Sequence, residues 1–146
     1  MKIVSIVLVA ILLFFGIVVS KCNDQRAEDR LRYRKADALA LNTAFDVSTR
    51  MGNRNECPKS IEGWVVDSSY ANGKLVFYSD GITLIYSCNI DHGFSVLIRT
   101  AFDSGQSVSG TKDGIVEYSY GHFTNRKKVV LNSRSEIEST LNKIYH

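Results

Sequence analysis

The sequence lacks most of the motifs that would identify a specific chemistry. It has one proline and three histidines in 146 residues, and neither a GxGxxG nor a Walker motif for phosphate binding. The histidines and the three cysteines show no metal-ligand spacing, and no two cysteines stand two residues apart as in a thioredoxin-type site. We therefore expect no metal, no cofactor and no catalytic residue.

Two further features bear on location and partners. No Asn-x-Ser/Thr acceptor site occurs, which favours a bacterial envelope over a eukaryotic secretory route. The net charge is +3 with 23% charged residues, which is typical neither of a disordered polyelectrolyte nor of a protein that coats nucleic acid. We expect no nucleic acid among its partners.

One long apolar run stands at the N-terminus, where no residue from Ile3 to Val19 is charged. As a helix it would be roughly 26 Å long, near the lower limit for crossing a hydrocarbon core of about 30 Å. It is also slightly long for the apolar part of a signal peptide. Residues 1–20 are thus predicted to be either an uncleaved signal anchor or a signal peptide cleaved after Ser20.

The charges that flank this segment conflict with its position. Lys2 is the only charged side chain before it, whereas a basic group follows it: Lys21, Arg26, Arg30, Arg32, Arg34 and Lys35. The positive-inside tendency alone would keep the remaining chain in the cytoplasm. The N-terminal position of the segment and the cysteines favour export. We predict a single-pass inner-membrane protein whose C-terminal domain faces the periplasm or exterior, or alternatively a secreted or periplasmic protein.

Two of the three cysteines are placed to form a disulfide. Cys57 follows a predicted helix and Cys88 lies in a predicted strand. A bond between them would close a loop of about 30 residues and stabilise the domain by roughly 3 to 4 kcal/mol. The alternative is that Cys88 is a buried apolar thiol. Cys22 is then either a free thiol or a bridge between two copies in a dimer.

Residues 21–52 are predicted to form a stalk with a helix over 24–50 that ends at Gly52. Helical spacing places an apolar set near one face: Ala27, Leu31, Ala38, Leu41 and Phe45. Charged residues fill the first half, among them Asp29, Arg32 and Asp37. This half is either a solvated stalk or a basic collar against anionic headgroups.

Residues 53–146 are predicted to form an α+β domain with an antiparallel meander of four to six strands. Asn72-Gly73 and Asp80-Gly81 have the composition of tight hairpin turns. The strands are expected near 62–69, 74–79, 82–90, 94–102, 115–120 and 127–132, with an exposed loop over 103–114. Ser133 and Glu136 have capping-box spacing and open a C-terminal helix that packs on the sheet.

One segment combines aromatic and basic residues, as binding hot spots do. The candidate partner-binding residues are Tyr118, Tyr120, His122, Phe123, Arg126, Lys127 and Lys128. The alternative is that the two tyrosines cover one face of the sheet while the three cations protect an edge strand from aggregation.

These features favour a membrane-tethered extracytoplasmic protein-binding module that is not an enzyme. An envelope inhibitor or immunity protein fits this class, with another envelope or secreted protein as the partner. The order of elements also resembles pilins in outline, although the Gly cleavage point and the nearby Glu of prepilins are missing. A minor pilin-like or secretion-assembly subunit is therefore the second hypothesis, and a small secreted enzyme without a recognisable motif is the third.

Overall fold

The computed structural model describes residues 2–70, 73–100, 105–121 and 124–146. Backbone contacts divide the chain into two compact units, Met1–Tyr33 and Arg34–His146. The elements in chain order are one long helix, seven strands and a short C-terminal helix. The protein is therefore α+β, as the sequence predicts.

A single helix, α1, runs from Lys2 to Arg54 where the sequence suggested two helical segments. Residues 20–23, between the two predicted segments, include neither glycine nor proline, so nothing there interrupts the helical hydrogen bonds. The prediction that Gly52 ends the helix is wrong. Asn55 adopts a left-handed φ of 52°, and its N–H donates to the Met51 carbonyl at 2.8 Å, which is a left-handed C-terminal cap.

In the unit Met1–Tyr33, the apolar side chains from Ile11 to Val19 are exposed to solvent. Within the residues that the structure describes, no helix has both the length and the apolar character needed to cross a membrane. Targeting by residues 3–19, the orientation and cleavage after Ser20 stay predictions.

The second unit contains one antiparallel sheet in which the strands stand side by side in chain order. Its seven strands exceed the four to six predicted. They are β1 (Val65–Asp67), β2 (Lys74–Ser79), β3 (Ile82–Asn89), β4 (Gly93–Arg99), β5 (Gln106–Gly110), β6 (Val116–Tyr120) and β7 (Lys127–Leu131). Every strand therefore pairs only with its neighbours along the chain.

The additional strand is β5, which lies inside the predicted exposed loop 103–114. Val108 is fully buried and stands in register between Val96 of β4 and Tyr118 of β6. Serines flank Val108 on both sides, so the strand has a single apolar residue and lacks the alternating pattern from which a strand is predicted. Residues 103 and 104 of the predicted loop, and residues 101 and 102 of the predicted strand before it, lie outside the described part of the chain.

The two predicted hairpin turns have different outcomes. Asp80 and Gly81, between β2 and β3, both adopt positive φ, at 49° and 74°. This is the conformation of the tight turn that their composition predicts. The other dipeptide cannot be compared, because Asn72 lies outside the described residues.

Most of the core lies against one face of the sheet, while Val76 and Ile85, which pair in register, are buried on the other face. Strand register places Leu84, Val96, Val108, Val116 and Tyr118 on the first of these faces, and all are buried. Helix α1 buries a face that consists of Ala40, Leu41, Ala44, Val47, Ser48 and Met51. Ser48 fixes this helix to the β5–β6 connection, because its hydroxyl donates to the Thr111 carbonyl and accepts the Gly114 N–H at 3.0 Å.

In β3 the predicted inward alternation is confirmed for Ile82, Leu84 and Tyr86. It weakens towards the end of the strand, where Cys88 is half-buried and Ile90 is exposed.

The closing helix, α2, spans Glu136–Tyr145 and buries Ile137 and Leu141. The predicted pair of Ser133 and Glu136 does meet, since the serine hydroxyl donates to the Glu136 carboxylate at 3.3 Å. The helix nevertheless begins at Glu136 itself, two residues later than a capping box headed by Ser133 implies.

Candidate functional site

A buried carboxylate is the most distinctive polar feature of the second unit. Asp37 of α1 has no exposed surface. The hydroxyls of Tyr118 on β6 and Tyr145 on α2 both donate to its Oδ2 atom. Its Oδ1 atom is buried without a hydrogen-bond partner in the part of the chain that the structure describes. The cluster thus joins three elements through one oxygen.

Burial dominates the electrostatics of this cluster. It raises the pKa of Asp37 from 3.8 to about 6, against the lowering effect of the two tyrosine hydrogen bonds. The pKa values of Tyr118 and Tyr145 are both raised, first by burial and then by the adjacent Asp37. Both hydroxyls therefore stay protonated and continue to donate over the physiological range.

The sequence did not reveal this role for Asp37, which we assigned to a charged stalk segment. The buried face of α1 continues from Asp37 through Leu41 to Ser48, at the spacing of successive helical turns. A periodicity search that ignored charge would place Asp37 on that face. The tyrosines that satisfy it are 81 and 108 residues away, so sequence spacing alone could not find them.

The predicted aromatic and basic segment does not form one surface patch. Tyr118 is fully buried in the cluster just described, so it cannot contact a partner. Tyr120 is half-buried and stacks on Tyr118 with ring centroids 5.4 Å apart. His122 and Phe123 lie outside the described residues.

The cations of that segment are exposed, as a role in partner binding or in edge protection would require. Arg126 precedes β7, and Lys127 and Lys128 are on this strand, which is one edge of the sheet. Lys128 forms an ion pair with Glu117 of β6 at 2.8 Å. The buried Tyr118 fits the alternative interpretation, in which the tyrosines cover the sheet, whereas edge protection by the three cations stays a prediction.

The predicted disulfide between Cys57 and Cys88 is present. It ties the loop that follows α1 to the end of β3. Beside it lies an open groove of about 480 Å³. Cys57, Pro58 and Lys59 form one wall of the groove, and the sheet side is lined by Val66, Gly73, Lys74, Leu75, Tyr86, Ser87 and Cys88.

A basic cavity of about 270 Å³ adjoins this groove. The two share Pro58 and Lys59, and the cavity also includes Arg50, Arg54 and Glu56. Glu56 is 4.0 Å from the Arg54 guanidinium, and Arg50 donates to the Ser60 carbonyl at 3.0 Å. Three cations therefore surround one carboxylate at this end of the groove.

The groove ends at β1, the edge of the sheet opposite β7. Val65 and Val66 are 54% and 68% exposed, although both are strand valines. Asp67, the carboxylate of this strand, accepts hydrogen bonds from the Tyr78 hydroxyl and from the Ser69 N–H. The Tyr78 hydroxyl is the main reason that the pKa of Asp67 is lowered.

Other predicted features can be placed briefly. Among the described residues, no group of three or more His, Cys, Asp or Glu side chains is arranged to hold a metal ion. Cys22 is exposed and is not in a disulfide. Comparisons with models of protein families, with curated proteins and with solved structures find no match to this chain.

Proposed function

We propose that this chain is an extracytoplasmic protein-binding module that residues 3–19 deliver to a membrane. Its partner is another envelope or secreted protein. An envelope inhibitor or immunity protein is the kind of role that such a module serves. The single observation that carries the proposal is the disulfide between Cys57 and Cys88, which bears on both location and surface.

Redox chemistry supports the proposed location. Disulfides persist in oxidising compartments such as the periplasm and are rare in the cytosol. The loop that this bond closes spans 31 residues, so its contribution in the chain-entropy treatment is about 4 kcal/mol. That is a large share of the 5 to 15 kcal/mol by which native proteins are typically stable. The domain therefore needs the oxidising compartment in which the bond persists.

The surface beside the disulfide supports binding rather than catalysis. The bond holds the Cys57–Lys59 wall against a groove that opens on an exposed edge strand. By contrast, Asp37 is enclosed, and its two tyrosine partners are occupied in hydrogen-bonding it. The strongly shifted carboxylate therefore serves the packing of α1, and the accessible feature is the groove.

The location is tested by mass spectrometry of the protein from membrane and soluble fractions, alkylated with and without prior reduction. We expect Cys57 and Cys88 to resist alkylation until reductant is added, while Cys22 reacts in both cases. An intact Met1 in the membrane fraction identifies an anchor, and a start at Lys21 identifies a cleaved signal. Recovery of the native protein with all three cysteines reactive before reduction would contradict the proposed compartment.

The binding function is tested by photo-crosslinking in the source cells. A photoreactive residue replaces one of three exposed side chains of the second unit: Val66 on β1, Ile115 before β6 or Val130 on β7. We expect at least one position to give an adduct of defined mass that contains a second protein. Failure of all three positions to give a discrete adduct, with the chain at its natural level, would refute the binding function.

We propose an assembly subunit as the second candidate, because one observation favours it. Helix α1 is continuous from Lys2 to Arg54, with an exposed apolar N-terminal part, as in the pilin-like outline. Exposed Cys22 offers a direct test by mild oxidation of membranes. Additional cysteine pairs are engineered on α1. If oxidation of these variants gives a ladder of crosslinked species with increasing numbers of copies, the result supports assembly. A single dimer band that Cys22→Ser abolishes supports a simple dimer instead.

A further inference from the structure

We infer that the free edge of β1 binds an extended acidic segment of the partner protein as an added strand, with alternate side chains in the groove beside the disulfide. This inference rests on the proposed protein-binding function and assigns a site to it. It follows from three properties of the described residues: the contrast between the two sheet edges, the shape of the groove, and its charge.

The two edges of the sheet differ in how they are protected. Natural edge strands commonly bear lysines that discourage pairing with another chain. Lys127 and Lys128 serve this purpose on β7, where both are exposed. Strand β1 has no cation and exposes Val65 and Val66, one on each face of the sheet. The β1 edge is therefore the one suited to main-chain pairing with a partner strand.

The groove lies on the face that an added strand would use. Register pairs Val66 with Leu75 and Leu75 with Tyr86, so these three side chains share one face of the sheet and line the groove. Every second side chain of a strand added to β1 would project to that face. A volume of about 480 Å³ lies in the range of ligand sites and has room for apolar side chains.

The charge near the groove selects an acidic segment. Lys59 lines both the groove and the adjoining cavity that contains Arg50 and Arg54. Within the described ranges, Lys59 is not within ion-pair distance of a carboxylate, and Glu56 is already near Arg54. Complementary charge raises association rates and discriminates between partners. A segment whose groove-facing side chains include both apolar residues and carboxylates would match the apolar lining of the groove and the cations beside it.

The probe is a synthetic peptide of about ten residues in which every second residue is alternately Val and Glu and the residues between them are Thr, so that one face presents both apolar and acidic side chains to the groove. It is titrated into the full chain in detergent, and binding is followed by the fluorescence of Trp64, the single tryptophan, which directly precedes β1. We expect saturable binding, slower hydrogen exchange of those backbone amides within residues 65–67 that point away from β2, and weaker binding as salt is added. The same peptide with Lys in place of Glu should bind at least about tenfold more weakly than the acidic peptide.

Matched variants on the two edge strands separate this site from a general surface effect. Val66→Glu on β1 should weaken binding at least about tenfold, because it both charges the edge strand and repels the acidic peptide, whereas Val130→Glu on β7 should leave it unchanged. Both positions are exposed, at 68% and 51%, so neither change burdens the core. In the same way, Lys59→Glu should remove the preference for the acidic peptide, and Lys127→Glu should not.

The outcomes that overturn the inference are specific. One is no saturable binding of the acidic peptide up to about 1 mM. Another is that the Val66 and Val130 variants weaken peptide binding equally. Binding without slower exchange at any amide of residues 65–67 also overturns it, because strand addition must protect the amides that point away from β2. The photo-crosslinking experiment keeps the two proposals distinct: an adduct at Ile115 or Val130 but none at Val66 preserves the binding function and removes the β1 site.

Discussion

Ionisation of the buried Asp37 should make the stability of the second unit depend on pH. Burial raises the pKa of this carboxyl from 3.8 to about 6 in the folded chain. The native state therefore binds the proton more tightly than the unfolded state does. The stabilisation is fully present below pH 3.8 and is lost as pH rises through about 6. At about 1.36 kcal/mol per pKa unit, the loss is about 3 kcal/mol.

The perturbation that isolates this group is Asp37→Asn, which keeps the shape of the side chain and cannot ionise. Urea unfolding of the full chain in mild detergent, followed by Trp64 fluorescence, gives the free energy of unfolding at a series of pH values from 4 to 8. Since all other titrating groups are shared, the difference between wild type and variant reports Asp37 alone. We expect that difference to change by about 3 kcal/mol between pH 4 and pH 7, with wild type relatively more stable at pH 4.

A second variant checks the physical cause. The Tyr145 hydroxyl donates to Asp37 and lowers the pKa of that carboxyl. Tyr145→Phe should therefore raise the Asp37 pKa further and move the pH dependence to higher pH. The reasoning is refuted if the wild-type and Asp37→Asn curves stay parallel within about 1 kcal/mol over the whole range. In that case the carboxyl would be solvated in the folded protein.

Three further predictions concern the structural framework. Replacing Cys57 and Cys88 together by Ser should lower the free energy of unfolding by roughly 4 kcal/mol, measured by urea unfolding against the oxidised wild type; a loss below about 1 kcal/mol contradicts the role given to the bond. Leu141→Ala removes a fully buried side chain of α2 and should cost about 2 to 5 kcal/mol in the same assay. Gly93→Ala should destabilise more than Gly81→Ala, because both glycines have positive φ but only the new Cβ at Gly93 would lie 2.3 Å from the Gly110 carbonyl oxygen; equal melting temperatures of the two variants would disprove this close approach.

Much of the fold was predictable because every strand pairs with its neighbours in the chain. In such a meander the turns alone determine the strand order, and Asp80-Gly81 marks a turn by composition. The disulfide was predictable for a related reason, since Cys57 follows the helix and Cys88 lies in β3, two elements that could be placed independently. Strand β5 was missed because Val108 is its single apolar residue, and its place depends on Val96 and Tyr118 on either side.

The candidate site was harder to predict than the fold, because exposure and not composition defines it. Tyr118 has the composition of a binding residue, yet its hydroxyl is needed by Asp37 in the core. Val66 is of a residue type that is common in cores, yet it is exposed because β1 has a neighbouring strand on one side only. The burial of Tyr118 depends on Asp37, which lies 81 residues away in the chain, and residue type does not encode this interaction.

The hydrogen bonds that hold the later part of α1 and the disulfide that follows the helix have different consequences for the groove. Asp37 connects the helix to β6 and α2, and Ser48 connects it to the β5–β6 connection. The groove wall at Pro58 and Lys59 follows the end of the helix and is tied to the sheet by the disulfide. Protonation of Asp37 therefore alters the stability of the whole unit, whereas opening the disulfide directly releases the wall of the groove. Opening the disulfide is therefore expected to loosen the proposed binding surface as well as to lower the stability of the fold.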